Sequence, residues 1–310
     1  MAKTYEQEQH ALTPYSFRVY NKDLEGRREE RYSVLNKISG KFDLLEMLET
    51  FMKANSDKYR IFEESQQVYC FSDIKYDAAK REVWGWFNVG YYGIKTDIIN
   101  IKTQEVDFEK AKDNAEIIKH YVHFRIPKKA NEGMAFLHTY RGNGVKTLFF
   151  RLFSELFKAQ TTLNLQMNPL AYDKAIHAWL DAPAKEVKLT KFVGVADVTD
   201  KLKKLGHHEQ ELVVKPPRKG TLGRLRDYLI NKKSEHYQAV EVLSEFGSQV
   251  KTVVEMNGKK RTFNVGHSKS SSMCEIELDE AVVMDEGVPN FKSMNRWVRE
   301  ISDEYAKTMY

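Results

Sequence analysis

Apolar and polar positions along this chain follow two periods, close to two and close to 3.6 residues, and the changes between them predict its strands and helices. Tyr15 to Tyr20 alternates as a strand, and Phe42 to Met52 sets Leu44, Leu45, Leu48, Phe51 and Met52 on one helical stripe. Gln67–Ser72, Arg81–Tyr92, Asp97–Thr103 and His120–Ile126 read as closely spaced strands, the signature of antiparallel hairpins or a meander. Within the second of these, Trp84 and Trp86 share one face, and Val83, Phe87, Val89 and Tyr91 share the other. Apolar residues on both faces predict a central strand covered on each side. An exposed aromatic platform for nucleic-acid bases is the alternative.

The middle of the chain is the most regular. Met134–Tyr140 reads as a strand and Val145–Lys158 as a helix. On that helix Val145, Leu148, Phe149, Leu152, Phe153, Leu156 and Phe157 recur at i, i+3, i+4, i+7. A strand over Thr161–Met167, a helix over Pro169–Leu180 and a strand over Lys185–Val193 complete a β-α-β-α-β unit. Short helices over Asp200–Leu205 and Leu222–Asn231 follow. A strand over Glu211–Val214 lies between them. Asn257-Gly258, between apolar runs Val250–Met256 and Arg261–Val265, predicts a two-residue hairpin. After a polar stretch, Gly266–Ser272, comes a strand within Met273–Met284. A closing amphipathic helix then carries Phe291, Met294, Val298, Ile301 and Tyr305.

The expected fold class is therefore α+β: a mixed sheet with antiparallel N-terminal strands, a central β-α-β-α-β unit, and a C-terminal hairpin plus helix. A boundary near residue 195 would give regions 1–195 and 196–310; a single mixed domain is the alternative. The 310 residues are 42% hydrophobic and 30% charged, enough to bury a core beneath a heavily charged surface. No apolar run approaches the roughly 18 residues of a membrane helix. The two cysteines, Cys70 and Cys274, form no C-x-x-C pair, which leads to the expectation of a reducing, cytoplasmic setting and removes a cysteine-based zinc site.

The net charge of +5 is unevenly spread. Residues 185–275 carry 18 Lys+Arg against 11 Asp+Glu, whereas residues 276–310 carry 4 against 8. A basic middle of this kind suits a phosphate-bearing partner. Arg141-Gly-Asn-Gly-Val-Lys-Thr147, between the strand and the helix of the central unit, is the first candidate. A glycine turn opening a helix presents backbone N–H groups and the positive end of the helix dipole. Arg141, Asn143, Lys146 and Thr147 would add donors there. It matches neither a Walker loop nor G-x-G-x-x-G. The plain alternative is a strand-to-helix turn in which glycine only supplies a positive φ. Further candidate phosphate contacts are Lys215, Arg218 and Lys219 on a Pro-containing loop, Arg224 and Arg226 beyond it, and Lys259, Lys260 and Arg261 at the hairpin. Charge reversal of that last trio is expected to weaken DNA or RNA binding without unfolding the protein.

Catalytic signals are sparse. G-x-S-x-G and H-E-x-x-H are absent, and His207-His208 reads either as a metal contact or as a solvated turn. Glu186-Val-Lys188, with Asp173 or Asp181 upstream, has the spacing of a metal-dependent nuclease, whose carboxylates would hold Mg²⁺ while the lysine steadies the attacking hydroxide. No cofactor is expected otherwise.

Two stretches, Gly133-Met-Ala-Phe-Leu-His-Thr-Tyr-Arg-Gly-Asn-Gly-Val-Lys-Thr-Leu-Phe149 and Val282-Val-Met-Asp-Glu-Gly-Val-Pro-Asn-Phe-Lys-Ser293, resemble small uncharacterised bacterial proteins encoded among mobile-element and anti-phage defence genes. The resemblance covers about a tenth of the chain and carries over no functional residue. It implies a cytoplasmic bacterial protein that recognises phage nucleic acid or a phage protein. The expectations are thus a nucleic-acid-binding protein using the basic loops, a protein-interaction module that senses or inhibits a partner, or a metal-dependent nuclease. An exposed apolar patch would favour the second of these.

Overall fold

The computed structural model describes residues 7, 9–27, 30–170, 179, 181–190, 211–216, 220–224, 226, 233–234, 237–238, 240, 249–256, 259–265 and 275–310. Asp173, His207, His208, Arg218, Lys219, Asn257, Gly258, the 266–272 stretch, Cys274 and the expected helix over 200–205 lie outside them, as do all but Trp179 of residues 171–180 and most of the expected helix over 222–231. In chain order the elements are β1 (His10–Tyr20), α1 (Leu44–Ala54), β2 (Arg60–Phe62), β3 (Gln67–Asp77), β4 (Glu82–Tyr91), β5 (Thr96–Ile99), β6 (Val106–Lys110), β7 (Glu116–Arg125), β8 (Gly133–Tyr140), β9 (Asn143–Gly144), α2 (Lys146–Thr161), β10 (Asn164–Pro169), β11 (Ala184–Thr190), β12 (Glu211–Val214), β13 (Gln249–Met256), β14 (Lys259–Val265), β15 (Ile276–Glu277), β16 (Met284–Asp285), β17 (Val288–Pro289) and α3 (Phe291–Met309). The protein is α+β, built on extensive antiparallel sheet with a C-terminal hairpin and helix. Among the described residues no helix is long and apolar enough to cross a membrane.

Two compact units emerge, Tyr15–Asn168 and the combination of Met1–Pro14 with Pro169–Tyr310. In the unit 15–168 the strand order is β1-β8-β7-β4-β3-β2. Phe17, Phe71, Phe87 and Phe124 from the strands meet Phe51 of α1 and Phe149, Phe153 and Phe157 of α2 in one core. β4 is the central strand that its two-faced pattern predicts, paired with β3 and β7 and buried from Glu82 to Gly90. Trp84 and Trp86 are buried, Trp84 stacked on His123 and Trp86 edge-on to Tyr121. They are therefore core residues, not a base-stacking platform. α1 is started by Asp43, whose carboxylate accepts from the Leu45 amide and forms a two-point pair with the Arg81 guanidinium at 2.7 and 2.9 Å.

In the other unit the strand order is β12-β11-β13-β14-β15-β1, with antiparallel pairing at every β11, β13, β14 and β15 step. Met256 stands opposite Lys259, so β13 and β14, the runs that flank Asn257-Gly258, pair antiparallel. α3 buries Met294, Trp297, Val298, Ile301 and Tyr305; Asn290 caps it by accepting from the Lys292 and Ser293 amides.

The glycine loop between the strand and the helix of the central unit takes the form of its plain alternative, a turn with positive φ. β8 does not feed α2 through an open loop. It folds back on itself, with Tyr140 opposite Asn143 and Thr139 opposite Gly144. The two residues between, Arg141 and Gly142, both have positive φ, 50° and 76°, which defines a type I′ hairpin turn. The second stretch carrying the family resemblance repeats this local plan. β16 pairs with β17 around Glu286 and Gly287, at φ 47° and 78°, and α3 follows at once.

Candidate functional site

The residues expected to bind phosphate do not behave as one set. At the I′ turn, Arg141, Asn143, Gly144 and Thr147 are exposed and Lys146 is half-buried. The Arg141 guanidinium lies over the Tyr140 ring at 5.2 Å, and the Lys146 ammonium lies over Phe150 at 5.2 Å. α2 begins at Val145 without a side-chain cap and without an acid in its first turn. The glycine is required by backbone conformation: Gly142 needs its positive φ for the turn, and nothing crowds the place of its missing Cβ. Arg141 is the costlier occupant, because a left-handed backbone costs a residue with a Cβ about 1–2 kcal/mol and its ring contact returns only about 0.5–1 kcal/mol. Arg141→Asn, the favoured first residue of a I′ turn, is therefore expected to raise stability by about 0.5–1 kcal/mol in urea unfolding. A lowered midpoint would remove the turn as the explanation of this loop.

In the other unit, Arg261 corrects the expectation of an exposed hairpin-tip cation. Its side chain is 5% exposed and its guanidinium grips Glu304 of α3 at 2.6 and 3.0 Å while stacking 4.4 Å over Trp179. Trp179 Nε1 also donates to Glu304, at 3.1 Å. The residue points inward because Val254, directly opposite, is a core residue and cross-strand partners share a face. Lys259 and Lys260 stand opposite Met256 and Glu255 in the register. Lys215 pairs with Glu186 at 3.3 Å and Arg226 with Asp181 at 3.0 Å. Arg224 is exposed beside an isolated bridge to Pro183.

The nuclease constellation is only partly placed. Glu186 and Lys188 both lie on β11 and are half-buried, and Lys188 stands opposite Val213 on one side and Lys251 on the other. Lys251 forms an ion pair with Glu277. Among the described residues no three His, Cys, Asp or Glu side chains gather as a metal site. Cys70 is buried, and that burial pushes its thiol pKa up, away from reactive thiolate chemistry. Burial likewise pushes His120 down, against a weaker opposing effect of its bond to the His138 carbonyl, and keeps the ring neutral near pH 7.

The strongest surface feature is one that the hydrophobic pattern does not single out. β5 and β6 form a separate two-stranded ribbon in the unit 15–168. Its register places Ile98 opposite Phe108 on one face, and Asp97 opposite Glu109 on the other. A bulge at Asp107 then brings Ile99 opposite Val106. At the tip, the Asn100 side chain accepts from the Lys102 and Thr103 amides, Asn100 N–H donates to Glu105, and Gln104 N–H donates to Asn100. That bonded turn holds Ile101 at 90% exposure. Ile94, Ile98, Ile99, Val106 and Phe108 are exposed as well, at 48–65%. A sequence signal existed in the apolar run Ile98-Ile99-Asn100-Ile101, but a strand over Asp97–Thr103 would have buried half of it. The structure ends the strand at Ile99 and turns.

On the same unit, α1, α2 and the segment before α1 enclose a cleft of ≈ 260 Å³. Phe42, Met47, Phe51 and Leu156 supply its apolar lining, and the exposed Lys41 and Glu46 stand on its rim. Comparison with protein-family models, with curated proteins and with solved structures gave no significant match.

Proposed function

We propose that this protein acts by binding another protein, and that the β5–β6 ribbon is its contact element. The observation that supports this is Ile101, held 90% exposed at a tip closed by its own hydrogen bonds. Leaving aliphatic side chains in water on an ordered turn gains nothing for the free chain, and the six exposed apolar residues of the ribbon have nothing to bury against within it. Its charge also speaks for a protein: residues 94–116 hold four lysines against six acids, a poor match for phosphate backbones or anionic lipid. A cytoplasmic setting fits the two distant cysteines, and the resemblance to defence-associated proteins would make a phage protein one such partner. The test is a photo-crosslinking amino acid at position 101 in cells, with position 57, an exposed aspartate, as control. Discrete protein adducts from 101 and none from 57 are expected. Their absence at 101 would discard the reading.

A second reading, contact with DNA or RNA phosphates, draws on the exposed Arg141, Asn143 and Thr147 at the uncapped start of α2. Binding to labelled nucleic acids that weakens steeply with salt, and weakens further in Arg141→Glu, would support it. Salt-insensitive or absent binding would remove it. Cleavage only with Mg²⁺ would bring back Glu186 and Lys188.

A further inference from the structure

We propose that the ribbon's partner is a second copy of this chain, and that the tip at Ile101 of one copy docks in the α1–α2 cleft of the other. This rests on the reading of the ribbon as a protein contact and adds the identity of what it meets. Three observations carry it. The first is size. An apolar cavity of ~150 Å³ accommodates a benzene molecule, so a cleft of ≈ 260 Å³ accepts one isoleucine side chain with its neighbouring backbone. Phe42, Met47, Phe51, Ala54 and Leu156 give the cleft an apolar lining for an aliphatic tip, beside Thr50 and Gln160.

The second is charge. Lys102 and Glu105 flank the tip, and Glu46 and Lys41 stand on the cleft rim. Docking sets each against its opposite, Lys102 to Glu46 and Glu105 to Lys41. Asp43, also in the cleft, is already held by Arg81 and adds no competing charge. The third is area. On the scale of ~150–250 Å² for a large aromatic side chain, exposures of 48–90% at six ribbon positions amount to on the order of 700 Å². That approaches the ~800 Å² each partner contributes to a stable interface. Because Ile101 is 90% exposed, the tip does not occupy the cleft of its own chain. The proposed pair is reciprocal, each copy giving one ribbon and receiving one, which would repeat the contact about a two-fold axis.

Sedimentation equilibrium of the full chain tests this. The wild-type protein is expected to have the mass of two chains at micromolar concentration. Ile101→Asp, which alters a side chain already in water, is expected to leave circular dichroism unchanged and weaken association by about thirtyfold or more. Lys102→Glu and Glu46→Lys should each weaken it, and the two substitutions together should restore it. A wild-type mass of one chain at every concentration overturns the proposal, as does an Ile101→Asp protein that stays dimeric or a charge swap without rescue. If the chain is monomeric while crosslinks at position 101 still capture a different protein, this inference fails and the ribbon's role in binding stands.

Discussion

Phe149→Ala is expected to cost about 3–5 kcal/mol of stability, the largest loss that a single truncation in the aromatic core should produce. Phe149 is fully buried and stacks on Phe124 at 4.9 Å and on Phe153 at 5.8 Å. It meets Phe51 and Phe87 edge-on, at 6.1 and 6.3 Å, and Phe17 at 6.5 Å. Those neighbours belong to α1, α2, β1, β4 and β7, so a hole at Phe149 is walled by elements that are each held by their own pairing. Such a site cannot collapse to fill itself, which places the cost in the upper part of the range for aromatic truncation. Phe150, the next residue on α2, is only partly buried against this core and gives the control. Its change to alanine should cost no more than about 2 kcal/mol. Urea unfolding followed by circular dichroism reads both. If the two losses are equal, the core is not centred where the rings place it.

Arg261→Ala should be nearly as damaging, at about 3 kcal/mol. Breaking a buried pair from one side strands the other charge, which costs about 3–5 kcal/mol. Here Glu304 is 35% exposed and is partly rehydrated when its partner leaves, which lowers the figure toward the bottom of that range. Loss of the guanidinium over the Trp179 ring at 4.4 Å adds to it. Arg261→Glu would set two carboxylates together and should unfold the unit of residues 1–14 and 169–310 outright. Thermal unfolding measures both, and a midpoint within a degree or two of wild type would remove Arg261 as the link between β14 and α3. Charge reversal at Lys259, Lys260 and Arg261 together, the experiment that the sequence suggests, would therefore confuse lost binding with lost folding.

Much of the fold was legible because strand and helix periods are local properties. The apolar stripe from Val145 to Phe157 can be buried only as a helix, and Val83 to Tyr91 with apolar side chains on both faces can be only an inner strand. Asn257-Gly258 marked its hairpin because few residues tolerate positive φ in succession. Arg141-Gly142 gave the same signal more faintly, since arginine is an unusual first residue for a I′ turn. The loop was then open to being read as an anion cradle, as its glycines alone do not distinguish the two. The hairpin lysines and arginine looked equivalent in sequence. Register separates them, because Arg261 lies opposite a core valine and can reach Glu304, 43 residues away.

What the sequence by itself determined, then, is the α+β class, the course of most strands and helices in the unit 15–168, and the amphipathic closing helix. These depend on which neighbours i+2, i+3 and i+4 are apolar, and that is written in the chain. Only the tertiary structure decided which charged groups face inward and which apolar groups stay in water. Strand pairing and the end of β5 at Ile99 bring together or expose residues that the local pattern treats alike. Ile98, Ile99 and Ile101 have the composition of a buried strand, and it is the tertiary structure that leaves them exposed as a surface.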